Sequence, residues 1–405
     1  MPQAQGRVCR AAFLWSQGYL GYSFGTTHPM QPRRLDLLYD LLQEAGLLEE
    51  GEVREPTPAS PQELQLAHSP EYIQAVERLG RGEQDWRAFS SFGFASTDNP
   101  PFAGMHEASA LIAGGTLAAA RLVLAGREGW PPATRARPAG GHARIEKVQH
   151  AFNPAGGLHH AMPARASGFC VYNDPAVAIA WLLGQGLRVL YLDFDAHHGD
   201  GVQAIFYREP RVLTVSFHES GQYLFPGTGE ISERGEGLGQ GYAVNVPLAP
   251  FTDDESWLSA VEGLVPELAR AFRPDIIVSQ HGCDGHIWDP LTHLALTTRA
   301  FARAAALTHE LAHELCGGRW VATGGGGYEI YRVVPRAWAL VWMEMTGRKR
   351  EDLPQAWRER WQPHSPHALP ERFLDAAMGP DPLRIASARL ENARTVALVR
   401  TTLRP

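Results

Sequence analysis

The chain has 405 residues, 44% of them hydrophobic, and a formal charge of -7; it is long enough for one large domain or two and apolar enough for a full core. Its acidic balance argues against a broad footprint for nucleic acid or an anionic membrane, because both select clustered Lys and Arg. Cys9, Cys170, Cys283 and Cys316 lie far apart without a C-x-x-C pair, which argues against a zinc knuckle or disulfide scaffold and fits a reducing cytoplasm.

In chain order, Arg7 and Arg10 precede an apolar run over 11–15 that is too short for a signal-peptide core. No later stretch approaches about 20 apolar residues, so a cytoplasmic protein without a membrane span is expected. Apolar residues at helical spacing predict a helix over 33–45, and an Ala- and Leu-rich stretch free of internal proline predicts another over 101–125. Polar, proline-marked stretches at 49–61 and 126–138 read as surface connections, neither long enough to separate domains. Beyond Pro175, helical spans at 175–183, 253–272 and 298–316 alternate with β-rich runs at 188–194, 212–217, 275–280 and 320–323. Such alternation requires crossover connections and predicts a single α/β domain, a mostly parallel open sheet covered by helices on both faces. Polar clusters follow these strands at 193–200, 216–218, 280–284 and 323–328, at the carboxyl ends where open α/β sheets bind ligands.

The densest cluster is Tyr191-Leu-Asp193-Phe-Asp195-Ala-His197-His198-Gly-Asp200. Burying unpaired carboxylates is costly, whereas a divalent cation neutralises them and gives imidazole nitrogen a partner. On an extended strand the side chains of Asp193, Asp195 and His197 share one face. After the 275–280 strand, Asp284 completes an Asp, His, Asp ligand set that leaves room for water, while His281 and His286 read as loop histidines satisfied by backbone. Upstream, Gly-Gly-Leu-His159-His160 delivers two adjacent imidazoles, and Asp193 and Asp200 are carboxylates that could orient them, which suggests catalytic dyads. The run Thr323-Gly-Gly-Gly-Gly327-Tyr328 matches neither phosphate-binding glycine pattern, and its tyrosine is placed to donate to an oxyanion beside the metal.

These segments, in this order, resemble the zinc-dependent histone deacetylase family, with its arginase/deacetylase fold, and especially its bacterial acetoin-utilisation branch. The match runs from Thr27-His-Pro29-Met-Gln-Pro32-Arg33-Arg34 to about Val341 and includes Gly168-Phe169-Cys170-Val-Tyr-Asn173-Asp174 and Phe225-Pro-Gly-Thr-Gly229. Residues 342–405 are only loosely comparable, although the whole chain, 1–405, is read as one deacetylase domain. The resemblance implies Zn2+, or Fe2+ in its place, on Asp195, His197 and Asp284. It implies that His159, backed by Asp193, holds the attacking water. It makes His160, backed by Asp200, the general base and acid, and Tyr328 the residue that polarises the amide carbonyl. Gly168, Phe169 and Phe225 match the narrow tunnel that grips acyl-lysine, Asp98 the rim aspartate, Leu291 the gatekeeper position and Arg34 the arginine at the inner acetate cavity. A structural K+ or Na+ is implied near Asp193, Asp195, His197, Ser216 and Phe217, and a second near Phe206, Glu209, Val212 and Tyr242.

The reaction so implied is hydrolysis of an acetylated protein lysine or of a small acetylated amine, without direct nucleic-acid or membrane contact. An acetylpolyamine amidohydrolase uses the same machinery, but the neutral Leu291 favours acyl-lysine. A binuclear arginase-like site would need an acid where Gly199 stands. A non-catalytic acyl-lysine-binding module would have no use for the histidine pair and Tyr328.

Overall fold

Eight strands form one parallel sheet in the computed structural model, which describes residues 10–49, 51–125 and 148–403. They are β1 (Ala11–Leu14), β2 (Val53–Arg54), β3 (His150–Asn153), β4 (Val189–Asp193), β5 (Val212–Glu219), β6 (Ala243–Leu248), β7 (Ile276–Gln280) and β8 (Trp320–Thr323). Their order across the sheet is β2-β1-β3-β8-β7-β4-β5-β6, and every neighbouring pair is parallel. All residues of β3, β4, β5, β7 and β8 are buried, because helices cover both faces. Continuous apolar runs such as Ile276-Ile-Val therefore replace the alternation of a half-exposed strand.

The expected α/β architecture is present, and the expected strands coincide with β4, β5, β7 and β8. Four strands had no sequence signal. The run 11–15 is β1, and the stretch 49–61, expected to be a surface connection, contains β2. The stretch 126–138 lies outside the described residues. β6 carries Pro247, which an edge position tolerates because no neighbour needs its N–H.

The helices Arg33–Glu44, Asp174–Gly184, Asp254–Phe272 and Thr298–Leu315 follow the expected spans to within one or two residues. Local chemistry sets their starts: Asn173 accepts from Ala176 N with Pro175 in the first turn, and Asp253 accepts from Ser256 N. Met105–Ala125, with 21 residues, corrects the expectation that no stretch is long and apolar enough to cross a membrane. It is mostly buried and packs on β3 and on the helices Pro70–Gly80 and Asp174–Gly184, as a central core helix does. Its Gly114 and Gly115 let two other segments press against it, since added Cβ atoms would lie 1.9 Å from Thr57 O and 2.2 Å from Tyr19 Oη.

The C-terminal segment is tied into the same sheet. Helix Pro382–Thr402 packs on Asp254–Phe272 and on edge strand β6. Asp375 receives Arg336 Nη1 at 2.8 Å, His286 Nε2 at 2.9 Å and Thr298 N at 2.9 Å. Its carboxyl is held well below the ordinary value: burial alone would raise it, but the His286 hydrogen bond and the Arg336 charge outweigh burial.

Candidate metal centre and its histidine pair

The central strands β3, β8, β7 and β4 are consecutive neighbours, so the segments leaving their carboxyl ends converge. β4 stops at Asp193, and Asp195 and His197 lie in the turn that follows it. The extended-strand alternation expected for 193, 195 and 197 is therefore not what aligns them. Instead, Asp195 N donates to Asp193 Oδ1 at 3.2 Å, His197 N to Asp195 Oδ1 at 3.0 Å and Ala196 N to Asp284 Oδ1 at 2.8 Å. These bonds bring His197 Nδ1 to 2.8 Å from Asp284 Oδ2 and 3.1 Å from Asp195 Oδ1. One ligand atom from each of Asp195, His197 and Asp284 lies within 4.8 Å of the others. Gln280 Nε2 and Gly326 N each donate to Asp195 Oδ2 at 2.7 Å. Glycines make the space: a Cβ at Gly282 would lie 2.1 Å from Asp195 Oδ2, and one at Gly326 would lie 2.1 Å from Asp284 Oδ2.

All three residues are buried. Burial alone would push the His197 imidazole down, but Asp284 and Asp195 hold it well above its ordinary value. Burial, then the charge of Asp195, pushes Asp284 up to about 6. Two carboxylates confronting one imidazolium leave a charge deficit, and a divalent cation with neutral His197 would close it. The donor set fits that test: two carboxylate oxygens and one imidazole nitrogen suit Zn2+ or Fe2+, with positions left for water and substrate.

The histidine pair sits beside this cluster. His159 Nδ1 is 2.8 Å from Asp193 Oδ2, His160 Nδ1 is 2.7 Å from Asp200 Oδ1, and the two Nε2 atoms are 3.0 Å apart. The adjacent residues thus converge rather than face opposite ways, because the chain leaves β3 at Asn153 and crosses the site as a turn. Burial depresses His159, but Asp193 and Asp195 outweigh it and raise it to about 9. Burial, then the His159 charge, lowers His160 to about 4. The carboxylates thus favour the protonated ring at His159, while His160 favours the neutral ring that a proton acceptor needs.

Tyr328 is fixed through its backbone N, which donates to Asp289 Oδ2 at 2.8 Å. Burial, then Asp284 and Asp195, pushes its phenol well above the ordinary value, so it remains a donor. Arg34, buried beneath the glycine run, donates to Gly325 O at 2.8 Å and Gly327 O at 3.1 Å, and its guanidinium lies over Trp338. Phe169 meets Tyr328 edge to face at 5.7 Å between centroids, and Phe225 meets His160 at 5.1 Å. Gly168 lies between these walls: a Cβ there would be 2.4 Å from His160 Cδ2 and 2.9 Å from Phe225 Cε1. Phe169 holds φ at 65°, sustained by Asn99 Oδ1, which accepts its N–H, and by Tyr22 Oη, which donates to its carbonyl.

Asp98 backs the Phe169 wall, its carbonyl meeting His28 Nε2 at 3.2 Å while the His28 ring packs on Phe169. Leu291 is half-buried, its N bonded at 3.0 Å to Asp289 Oδ1, the carboxylate that also holds Tyr328 N. Ser216 is the β5 partner of Asp193, and the Phe217 ring is buried against Phe194 and Trp257. A monovalent ion near Phe217 would therefore take its backbone carbonyl.

His281 and His286 stay out of the centre. Ser279 Oγ is 2.8 Å from His281 Nε2, and Asp375 and Trp288 N occupy the two nitrogens of His286. Four positioning residues had no role assigned from sequence. Asp174 accepts from Gly157 N at 3.0 Å and Leu158 N at 2.8 Å, and Asn173 Nδ2 donates to His159 O and Ala161 O at 3.0 Å, so together they clamp the loop carrying the pair. Gln280 holds Asp195, and Asp289 holds Tyr328. The only available signal was that each is polar beside a strand or helix end.

Residues 28–345 match the family model described as the histone deacetylase domain. The chain is 45% identical over 390 residues to the acetoin utilization protein AcuC of Bacillus subtilis, covering 96% of each chain. It is 38% identical to the protein of the same name from Staphylococcus aureus, covering 92% of this chain and 91% of that one. Among solved structures, a histone deacetylase homologue from Aquifex aeolicus superposes with a TM-score of 0.83 at 31% identity, covering 96% of this chain and 100% of the other. A homologue complexed with SAHA superposes with a TM-score of 0.81. With the convergent Asp, His, Asp cluster and its two His–Asp dyads, these matches show that the chain belongs to the histone deacetylase family, as a metal-dependent deacetylase of the acetoin-utilisation branch.

Proposed function

We propose that the enzyme removes acetyl or short acyl groups from lysine side chains, with Zn2+ or Fe2+ on Asp195, His197 and Asp284. The observation that carries this reading is the meeting of His159 Nε2 and His160 Nε2 at 3.0 Å, each ring braced by its own carboxylate, beside the ligand cluster. Bound there, the ion supplies Lewis-acid polarisation of the amide carbonyl and a water acidic enough to attack near neutral pH.

The chain supplies the rest. His159 positions the attacking water through Nε2. His160 Nε2 accepts the proton that this water loses as its oxygen bonds to the carbonyl carbon. The Tyr328 phenol donates to the oxygen on which negative charge develops. As the C–N bond breaks, His160 returns the proton to the departing amine, and acetate and free lysine result. Asp200 keeps His160 oriented throughout. Phe169 and Phe225 form apolar walls that suit the methylenes of a lysine and exclude bulk water. Arg34, buried at the inner end, offers the positive charge toward which acetate is drawn.

A mononuclear centre is favoured by Gly199, where even a Cβ would lie 2.3 Å from Asp193 Oδ2 and leave no room for a further carboxylate ligand. Neutral Leu291 at the rim offers no counter-charge to a polyamine, while Asp289 is occupied by two backbone donors. A monovalent K+ or Na+ beside Asp193 and Ser216 belongs to the same proposal. The test is a panel of acetyl-lysine peptides and acetylpolyamines turned over by Zn2+- and Fe2+-loaded protein. A higher kcat/KM on peptides supports the reading, and selective turnover of acetylpolyamines contradicts it.

A further inference from the structure

The amino end of β3 holds a second imidazole cluster. His150, the first residue of β3, is fully buried, and neither ring nitrogen has a hydrogen-bond partner. Facing it are His309 and His313, one turn apart on the helix Thr298–Leu315 and hence on the same face of it. One nitrogen from each of the three rings lies within 4.8 Å of the others, the bound that also contains Asp195, His197 and Asp284. The ring centroids stand 4.7, 5.2 and 4.8 Å apart, with interplanar angles of 89°, 81° and 65°.

That triangle has the dimensions of a metal site. With Zn–N bonds of about 2.0–2.1 Å, tetrahedral geometry separates the ligand nitrogens by about 3.3 Å and the ring centroids by about 5 Å. The centroid separations match this, and the nitrogens already lie within 4.8 Å of one another. Glu344 Oε1 is 2.7 Å from His309 Nδ1, the outer carboxylate that fixes a ligand imidazole with Nε2 toward the ion. His309 and His313 also border a cavity of about 1030 Å³, a route for the ion and a source of water for a fourth position.

We propose that His150, His309 and His313 form a second metal site, distinct from the deacetylase centre at the other end of the sheet. Its ligand is a divalent late transition ion, Zn2+ foremost, since imidazole nitrogens select such ions over Mg2+ or Ca2+. Burying both nitrogens of His150 without hydrogen bonds is costly, and coordination repays that cost.

The test counts zinc on chelator-stripped, full-length protein after saturation with Zn2+ and gel filtration. Two ions per chain are expected for the wild type and one each for His313→Gln and Asp284→Asn, with His313→Gln keeping wild-type deacetylation. One ion in the wild type, or two in His313→Gln, overturns the site. Independently of how His313→Gln folds, Asp284→Asn protein titrated with Co2+ should develop the strong visible absorption of a tetrahedral nitrogen site. Absence of that band overturns the site.

Discussion

His159 and His160, just beyond the carboxyl end of β3, each have a carboxylate at 2.7–2.8 Å, whereas at its amino end the equally buried His150 has no hydrogen-bond partner. The carboxyl end is built from turns and glycines, which allow backbone donors and carboxylates to reach every ring. At the amino end, His150 is locked into the ladder opposite Trp320 and meets other imidazoles instead. Braced histidines have their tautomer and charge set by their surroundings and can carry protons. An unbraced buried histidine carries a desolvation cost that a metal ion can offset.

Removing metal is the bluntest way to break the contrast. Chelation should abolish deacetylation, and Zn2+ or Fe2+ should restore it to wild-type protein but not to Asp284→Asn, as a peptide assay will read. Replacing the braced base is next: His160→Ala in metal-loaded protein should lower kcat by about 10²–10⁴. His313→Gln, in the second imidazole cluster, should leave kcat unchanged.

Stability probes sharpen the same contrast at smaller amplitude. His68 bonds Met162 O through Nδ1 and accepts Asn173 N–H at Nε2, at 3.1 and 2.9 Å, so it is folded as the neutral ring. Burial lowers it to about 4, from an ordinary 6.5. Because the folded value is depressed, its stabilising contribution is complete above pH 6.5 and is lost as pH falls from 6.5 toward 4, by ~3 kcal/mol at most. Thermal melts should therefore hold near neutrality and drop across that window, with a shallower drop in His68→Gln. Asn173→Ala should cost about 1–3 kcal/mol by stranding His159 O and Ala161 O, as denaturant unfolding will show.

What the sequence disclosed follows from the same physics. β4, β5, β7 and β8 were legible because burial on both faces leaves uninterrupted apolar runs, and Asp195, His197 and Asp284 because charge at strand ends is costly without a cation. Turn hydrogen bonds after Asp193, not strand alternation, point Asp195 and His197 together. β2 carries only two residues, too few for a period. Asn173, Asp174, Gln280 and Asp289 act through contacts with other segments that no local spacing encodes. Met105–Ala125 escaped notice as a long apolar helix because its glycines, alanines and polar residues dilute the pattern while its position buries it. His150 and the pair on Thr298–Leu315 are 159 and 163 positions apart in sequence (309 − 150 and 313 − 150), and only folding brings them together.

In the proposed mechanism, Tyr328 and the braced histidines turn a metal site into a deacetylase. The most direct test is Tyr328→Phe, loaded with metal and assayed on an acetyl-lysine peptide. Loss of one preorganised donor to the oxyanion should lower kcat by about 10²–10³ with KM nearly unchanged. Near-normal kcat in the metal-loaded variant would contradict the account.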